Sequence, residues 1–136
     1  MGQPSVFTDT ELAYLHGERR LGRIATVGED GTPHVVPSGW QHNRELDTID
    51  VTGYAVDGTK KFRDVARSGR AAIVIDDLAS ADPWRPRGME IRGRAAAVLE
   101  PEPLIRIHPE RIVSWGIDGA RPGRTTHAFP GPAPRA

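Results

Sequence analysis

The sequence contains no cysteine and carries no net charge, and only two of its 18 basic residues are lysines. Without cysteine there is no disulfide framework, thiolate metal site or cysteine nucleophile, which fits a cytoplasmic protein. Because 18 acidic residues balance the basic ones, we expect no general affinity for nucleic acid. No apolar run approaches the roughly 18 residues of a membrane helix, and the N-terminus lacks the features of a signal peptide. We therefore expect neither membrane insertion nor export.

Aromatic residues are also scarce, at 6% of the chain, and all hydrophobic residues together make up 38%. A chain of 136 residues is long enough for one domain with one core. A domain of this size buries roughly two thirds of its unfolded surface, so this core has little to spare. Further burial by self-association would therefore stabilise it.

The hydrophobic periodicity predicts a mainly β fold with two short helices. The first helix begins after Thr8 and ends at Gly17, and the second covers 59–68 and ends at Gly69. An Asp-Gly turn joins the first two strands into a hairpin. Six strands are predicted, over 21–27, 33–41, 46–54, 70–77, 89–99 and 104–117, the last interrupted at His108-Pro109. Short connections between strands favour a small antiparallel barrel.

The chain changes character near its end, where residues 119–136 are rich in proline, glycine and arginine and contain a single large apolar side chain, Phe129. We therefore predict a barrel domain over 1–117 and a tail over 118–136. Such a composition favours a tail that is mobile or clasps a neighbouring subunit.

The only two lysines, Lys60 and Lys61, stand with Arg63 in the first turn of the second predicted helix. Cations are disfavoured there by the partial positive charge of the helix N-terminus. A phosphate at this position would reverse the sign of the interaction, taking hydrogen bonds from backbone amides and charge from the lysines. The alternative is that both lysines are ordinary solvated surface residues. The sequence does not choose between a phosphate site and this alternative.

A place for a flat ring is predicted where two strands end. Pro37 removes one donor from the strand over 33–41, and Gly39 leaves its backbone open to close approach. The stretch Thr52-Gly53-Tyr54 lies opposite in the meander. Backbone groups of both strands could grip the polar edge of a heterocycle. The alternative is an ordinary edge strand beside a glycine-containing loop, and spacing alone does not choose.

Other chemistry-bearing residues give weaker signals. The histidines lack the spacing of a zinc site, so surface or packing roles are expected for His16, His34, His42, His108 and His127. No nucleotide-binding glycine motif or serine-nucleophile motif is present. The arginines around Trp84 are expected to be solvated or paired with acids.

The order of these parts resembles the pyridoxamine 5'-phosphate oxidase-like split-barrel family, and within it the small branch that uses the deazaflavin coenzyme F420. The resemblance covers residues 8 to 117. It rests on the order of TPHVVP (32–37), TKKFRDV (59–65), the strand at 71–77, MEIRGRA (89–95) and RIVSWG (111–116). True pyridoxamine phosphate oxidases carry a C-terminal Arg/His signature that is missing between Leu104 and Ala136, so vitamin B6 oxidation is not expected.

The resemblance implies a homodimer of six-stranded antiparallel split β-barrels with a cofactor at each subunit interface. In such proteins the segment matching Lys60, Lys61 and Arg63 holds the cofactor phosphate, and the closing strand with Trp115 approaches from the other subunit or packs the interface. The ring would lie beside Val36, Pro37 and Ser38 and against Thr52, Gly53 and Tyr54.

The resemblance also implies an oxidoreductase that transfers a hydride between coenzyme F420 and an unsaturated small molecule. One alternative is an FMN-binding oxidase or flavin reductase, since FMN also presents a tricyclic ring and a phosphate. Another is a non-catalytic cofactor-binding carrier. Because the cofactor carries the chemistry, the sequence assigns no catalytic residue. The proton could come from solvent, Tyr54, His34 or Ser38, and the sequence favours none of them.

Overall fold

The computed structural model describes residues 4–119 and 124–128. Within these ranges the chain forms two α-helices, one turn of 3-10 helix at Val56–Gly58 and seven strands. The helices are α1 (Asp9–Leu15) and α2 (Lys60–Ser68). The strands are β1 (Gly22–Val27), β2 (Pro33–Asn43), β3 (Thr48–Thr52), β4 (Arg70–Ser80), β5 (Arg85–Val98), β6 (Leu104–Trp115) and β7 (Arg124–Ala128).

The strands form one antiparallel sheet in the order β3-β2-β1-β4-β5-β6-β7, and an additional pairing of β3 with β6 closes it. The barrel thus consists of two three-stranded meanders, β1–β2–β3 and β4–β5–β6. The meanders join along two seams, β1 with β4 and β3 with β6. The predicted mainly β class, with a six-stranded antiparallel barrel and two short helices, is confirmed.

The core lies inside the barrel because alternate strand residues are apolar and point inward. Its largest fully buried side chains are Ile24, Ile49, Val51, Ile73, Ile75, Met89, Ile91, Ile105, Ile107 and Ile112. Strand β2 is an exception, since it has no buried residue along its length. The barrel therefore has one strand that the chain leaves uncovered.

Helix α1 packs against this core through Tyr14 and Leu15. Its start is fixed as the sequence predicts. The Thr8 side chain accepts a hydrogen bond from the Glu11 amide, and the Glu11 side chain accepts one from the Thr8 amide. This reciprocal capping box satisfies two amide groups that a helix start otherwise leaves without partners.

Strand β6 runs through His108-Pro109 without a break, so the predicted interruption is wrong. The register between β5 and β6 shifts beside Gly93, which is paired with Pro109. A proline lacks the backbone N–H that a regular ladder requires, and a bulge accommodates this lack without ending the strand.

Strand β7 lies within the residues expected to form the tail. It pairs with β6 from Arg111 to Trp115, so these five residues are neither free nor confined to contacts with a neighbouring subunit. Sequence reasoning missed β7 because it contains no large apolar residue. The rest of the tail, 120–123 and 129–136, lies outside the described residues. The domain boundary at 117 stays a prediction.

The sequence predicts a connection between the strands over 70–77 and 89–99. In the structure β4 continues to Ser80 and β5 already starts at Arg85, so most of this connection is a β-hairpin. Across the described residues, no helix is long and apolar enough to span a membrane.

Candidate functional site

The two strand ends that were predicted to grip a ring are neighbours in the sheet. Gly39 on β2 is paired with Thr52 on β3. A Cβ atom added at Gly39 would approach nothing closer than the Thr52 carbonyl oxygen, at 3.8 Å, so a ligand has room to reach this backbone. Gly53 and Tyr54 follow directly and are exposed. The structure therefore brings together the β2 and β3 parts of the predicted ring site.

Strand β2 presents the remaining residues of that ring site. Val36 and Pro37 are exposed, and Ser38 is half-buried. The Ser38 hydroxyl oxygen is the one buried side-chain polar atom among the described, non-exposed residues that has no hydrogen-bond partner. Such groups normally have partners, because an unsatisfied buried donor costs about 1–3 kcal/mol. An unpartnered hydroxyl beside an open strand is what a strand that contacts a ligand would show.

Helix α2 begins at the capping residue Thr59, whose hydroxyl accepts a hydrogen bond from the Phe62 amide. The Lys60 ammonium group is paired with the Asp64 carboxylate at 3.2 Å. Asp64 is buried and also accepts a hydrogen bond from the Thr26 hydroxyl at 2.9 Å. Burial opposes ionisation of Asp64, but the hydrogen bonds from Thr26 and Lys60 outweigh it and hold the pKa of this carboxyl below its ordinary value. Lys60 is thus bound within the chain.

The other two cations of this helix start differ from Lys60. Lys61 is half-buried, and no ion pair or side-chain hydrogen bond involves it within the described part of the chain. The Arg63 guanidinium donates to the Gly58 carbonyl at 3.1 Å and remains exposed. The positive charge available to an external anion therefore comes chiefly from Lys61 and Arg63.

Trp115 does not join these residues within one chain. It lies at the end of β6 where β6 pairs with β5 and β7, opposite Gly88 and Arg124. The contact of β6 with β3 is at the other end, from Ile105 to Ile107. A role for Trp115 at the cofactor depends on a second subunit and stays a prediction.

A cleft of about 610 Å³ opens beside the paired Gly39 and Thr52. Sequence reasoning did not find its other lining residues, because they come from the end of α1, the α1–β1 connection, the second half of β2 and the turn after β2. They include His16, Arg20, Trp40, His42 and Arg44. Only the fold brings His16 near His42, so no local motif signals the pair.

The sequence profile of the pyridoxamine 5'-phosphate oxidase family matches residues 8–128. The chain belongs to this family. The family match covers the barrel, both helices and the seventh strand, and it confirms the family resemblance seen in the sequence.

One relative that is similar in sequence to this chain is the 5a,11a-dehydrotetracycline/5a,11a-dehydrooxytetracycline reductase of Streptomyces rimosus. It is 43% identical over an alignment of length 122, and the alignment covers 83% of this chain and 85% of the relative. The prediction that the chain is an enzyme of the oxidoreductase type is confirmed.

Two solved structures share the fold. A conserved hypothetical protein of Mycobacterium tuberculosis, Rv2991, superimposes with a TM-score of 0.67 at 21% identity, over 87% of this chain and 91% of that protein. A structure described as an F420 reductase superimposes with a TM-score of 0.56 at 18% identity, over 81% of this chain and 98% of that one. These similarities show the split-barrel fold.

Proposed function

We propose that the chain is a reductase that uses coenzyme F420 and passes a hydride to an unsaturated small molecule. The observation that carries the proposal is the relative at 43% identity, which is named for reducing a dehydro compound. The F420 reductase of the same fold supports the choice of cofactor. When bound, a reduced deazaflavin supplies a hydride, and the protein supplies position and shelter from water.

The residues present fit a cofactor with a ring and a phosphate. Lys61, Arg63 and the first amides of α2 would hold the phosphate, because all three offer positive charge or donors at one helix start. The backbone from Val36 to Ser38 would run beside the ring, and Thr52 to Tyr54 would meet its edge. The unpartnered Ser38 hydroxyl and the open backbone at Gly39 are the observations that support this placement.

We also propose that the active form is a homodimer, with Trp115 contributed to each site by the partner subunit or packing the interface. Strand β2 exposes apolar side chains along its outer side, with Val35 64% exposed. An adjoining apolar groove of about 400 Å³ is lined by Ala25, Pro33 and Ala72 among others. Association of two chains through this face would cover the strand that the barrel leaves open.

Titration of the purified protein with F420, and separately with FMN, tests the cofactor. We expect F420 to quench tryptophan fluorescence and to be oxidised, in its reduced form, by cyclic enones. A protein that is isolated yellow and binds FMN tightly would select the flavin alternative. Binding without turnover of enones, imines and quinones would identify a carrier, and no response to either cofactor would contradict the proposal.

A further inference from the structure

Four side chains form a continuous chain of hydrogen bonds at the cleft beside Gly39 and Thr52. The Arg44 guanidinium lies 3.2 Å from His16 Nδ1, and His16 Nε2 lies 2.9 Å from His42 Nδ1. His42 Nε2 in turn lies 2.8 Å from the Asp47 carboxylate. His16 is exposed at the cleft, whereas the His42 side chain is 4% exposed.

The two end groups of this hydrogen-bond chain, Arg44 and Asp47, determine which side chain donates and which accepts at each step. A guanidinium can only donate and a carboxylate can only accept, so Arg44 donates to His16, His16 donates to His42, and His42 donates to Asp47. Both imidazoles are then neutral, and each carries its proton on Nε2. In this arrangement His16 Nδ1 accepts the hydrogen bond from Arg44.

Asp47, at the end of the hydrogen-bond chain opposite Arg44, is held in place by further hydrogen bonds. It accepts hydrogen bonds from the Ser5 hydroxyl and the Val6 amide, both at 2.7 Å. Burial opposes its ionisation, but the hydrogen bonds from Val6, His42 and Ser5 outweigh it and hold the pKa of Asp47 below its ordinary value. The backbone of Asp47 adopts a positive φ of 58°, an uncommon conformation for a residue other than glycine. The fold thus places a fixed negative charge directly behind His42.

The Arg44 end of this hydrogen-bond chain lies at a cleft that both apolar and charged residues line. Trp40, Leu15 and Leu21 supply apolar walls. Besides Arg44, the charged residues that line the cleft together with His16 are Glu18, Arg19 and Arg20. In the described part of the protein, no three or more His, Cys, Asp or Glu side chains are placed so that they could hold a metal ion, and this includes His16, His42 and Asp47.

We propose that His16 is the proton donor of the reduction, with His42 and Asp47 as positioning residues. This inference rests on the proposed function. It assigns the proton donor that the reduction requires in addition to the hydride. Gly39 and Thr52, which are expected to meet the ring, line the same cleft as His16. A carbonyl oxygen of the substrate takes the place of Arg44 at His16 Nδ1.

The step balances with one hydride and one proton. Hydride addition to a C=C bond conjugated to a carbonyl forms one C–H bond, breaks the C=C π bond and leaves negative charge on the carbonyl oxygen of the resulting enolate. The reduced deazaflavin of the proposed function would supply the hydride. The N–H bond at Nδ1 of protonated His16 breaks, and an O–H bond forms on the substrate. His16 is left neutral, its Nε2 proton remains shared with His42, and solvent returns the proton at the exposed side of His16.

The pH dependence has a defined sign. Burial first, then the charge of Arg44 and the neighbouring His42, lowers the pKa of His16 below its ordinary value. Because the step needs protonated His16, turnover falls as pH rises through this pKa. Removing the Arg44 charge raises the pKa of His16 and moves this decline to higher pH.

His16→Gln and Arg44→Gln test the proposal, and His108→Gln on β6 is the matched control because it lies outside the cleft. In His16→Gln we expect kcat to fall about 100-fold, within the range for loss of a general acid, while KM and F420 affinity stay within about twofold. In Arg44→Gln we expect the decline of kcat with pH to move upward. The pKa of His16 in the cofactor-free protein, measured by NMR titration, should rise in the same variant. His42→Asn should also displace the pH profile, which a merely structural residue would not do.

The outcomes separate the two proposals. Turnover by the wild type together with an unchanged kcat and pH profile in His16→Gln would overturn the role of His16 alone. The same holds if the pKa of His16 in the cofactor-free protein does not respond to Arg44→Gln. If the wild type turns over no substrate with F420 or FMN, the proposed function fails and the role of His16 fails with it.

Discussion

The two adjacent lysines at the start of α2 have different surroundings and therefore different expected roles. Lys60 is bonded to Asp64, a carboxylate that is 4% exposed, whereas Lys61 has no such partner within the described residues. The unfavourable position of Lys60 at a helix N-terminus is thus offset by a local ion pair. The positive charge that remains for a phosphate is that of Lys61 and Arg63.

We predict that Lys61→Ala and Lys60→Ala separate binding from stability. Lys61→Ala should weaken cofactor binding about tenfold or more and leave the free energy of unfolding within about 0.5 kcal/mol. Lys60→Ala should lower the free energy of unfolding by about 1 kcal/mol, because it leaves a buried carboxylate with Thr26 as its remaining partner. Fluorescence titration and urea unfolding measure the two effects, and equal loss of stability in both variants would show that Lys61 is structural as well.

Ser38→Ala tests whether the unpartnered hydroxyl serves the ligand. Since this hydroxyl has no partner, we expect its removal to leave the free energy of unfolding unchanged or to raise it by up to about 1 kcal/mol. Cofactor affinity should fall in the same variant. Thr48→Val is the control, because the Thr48 hydroxyl donates to Asp50 and its loss should destabilise the protein. A marked loss of stability in Ser38→Ala, measured by thermal unfolding, would contradict this reading of Ser38.

Strands β5 and β6 approach each other closely at Gly93. A Cβ atom there would overlap the His108 carbonyl oxygen and lie 2.9 Å from the Glu110 amide nitrogen, and both are backbone atoms that cannot turn aside. We predict that Gly93→Ala lowers the free energy of unfolding by about 3 kcal/mol, the upper end of the usual range for overpacking. Gly58→Ala, at a position with open space, should cost far less in the same denaturant measurement. A similar loss of unfolding free energy in both variants would mean that the backbone at the β5–β6 bulge shifts to accommodate the added methyl group.

The seam between β3 and β6 contains an ion pair of the buried Asp50 with the half-buried Arg106. Asp50 accepts hydrogen bonds from Arg106 Nε at 3.1 Å and Nη2 at 3.2 Å, and from Asn43 at 3.0 Å. Burial opposes ionisation of Asp50, but these bonds outweigh it and hold its pKa below the ordinary value. The pair therefore contributes stability above about pH 4, and the contribution is lost as pH falls through the lowered pKa.

We predict that Arg106→Met lowers the free energy of unfolding by about 3 kcal/mol at pH 7, because the Asp50 charge stays buried without its cation. The difference from the wild type should shrink as the pH falls, because loss of Arg106 raises the pKa of the buried Asp50 and the variant takes up a proton at higher pH than the wild type. Urea unfolding from pH 7 to pH 3 measures this. A difference that is independent of pH would assign the effect to lost packing of the arginine stem.

Local signals in the sequence predicted the elements well, and pairings between distant residues limited the rest. The Thr8 capping box and the helix end at Gly69 depend on residues within one turn, so the sequence alone revealed both. Strand β7 depends on its pairing with β6 and on His127, which hydrogen-bonds the buried Glu11 at 3.0 Å. Contacts between residues so far apart along the chain leave no signal in the local amino-acid composition. The pairing of His16 with His42 was missed for the same reason, although the adjacent lysines were found.

At the scale of the whole molecule, the barrel is complete but β2 remains uncovered. We predict that Val35→Glu converts the proposed homodimer into a monomer, because a buried, unpaired carboxylate at an apolar interface is strongly unfavourable. Leu99→Glu is the control, since Leu99 is also exposed, at 57%, but follows the end of β5. Sedimentation velocity measures both variants, and a wild type that sediments as a monomer would contradict the proposed dimer. Cofactor affinity should fall together with dimerisation.

The two seams also bear on how the chain reaches its native state. Each meander forms from neighbouring strands, whereas closure at the second seam brings together residues as far apart as Asp50 and Arg106, 56 positions along the chain. The entropy of loop closure must be lost before such distant contacts stabilise the chain, so we expect these contacts to form late in folding. We therefore expect the docking of two preformed halves to limit the folding rate. The Asp50–Arg106 pair would then act mainly on the unfolding rate, giving the barrel its kinetic persistence.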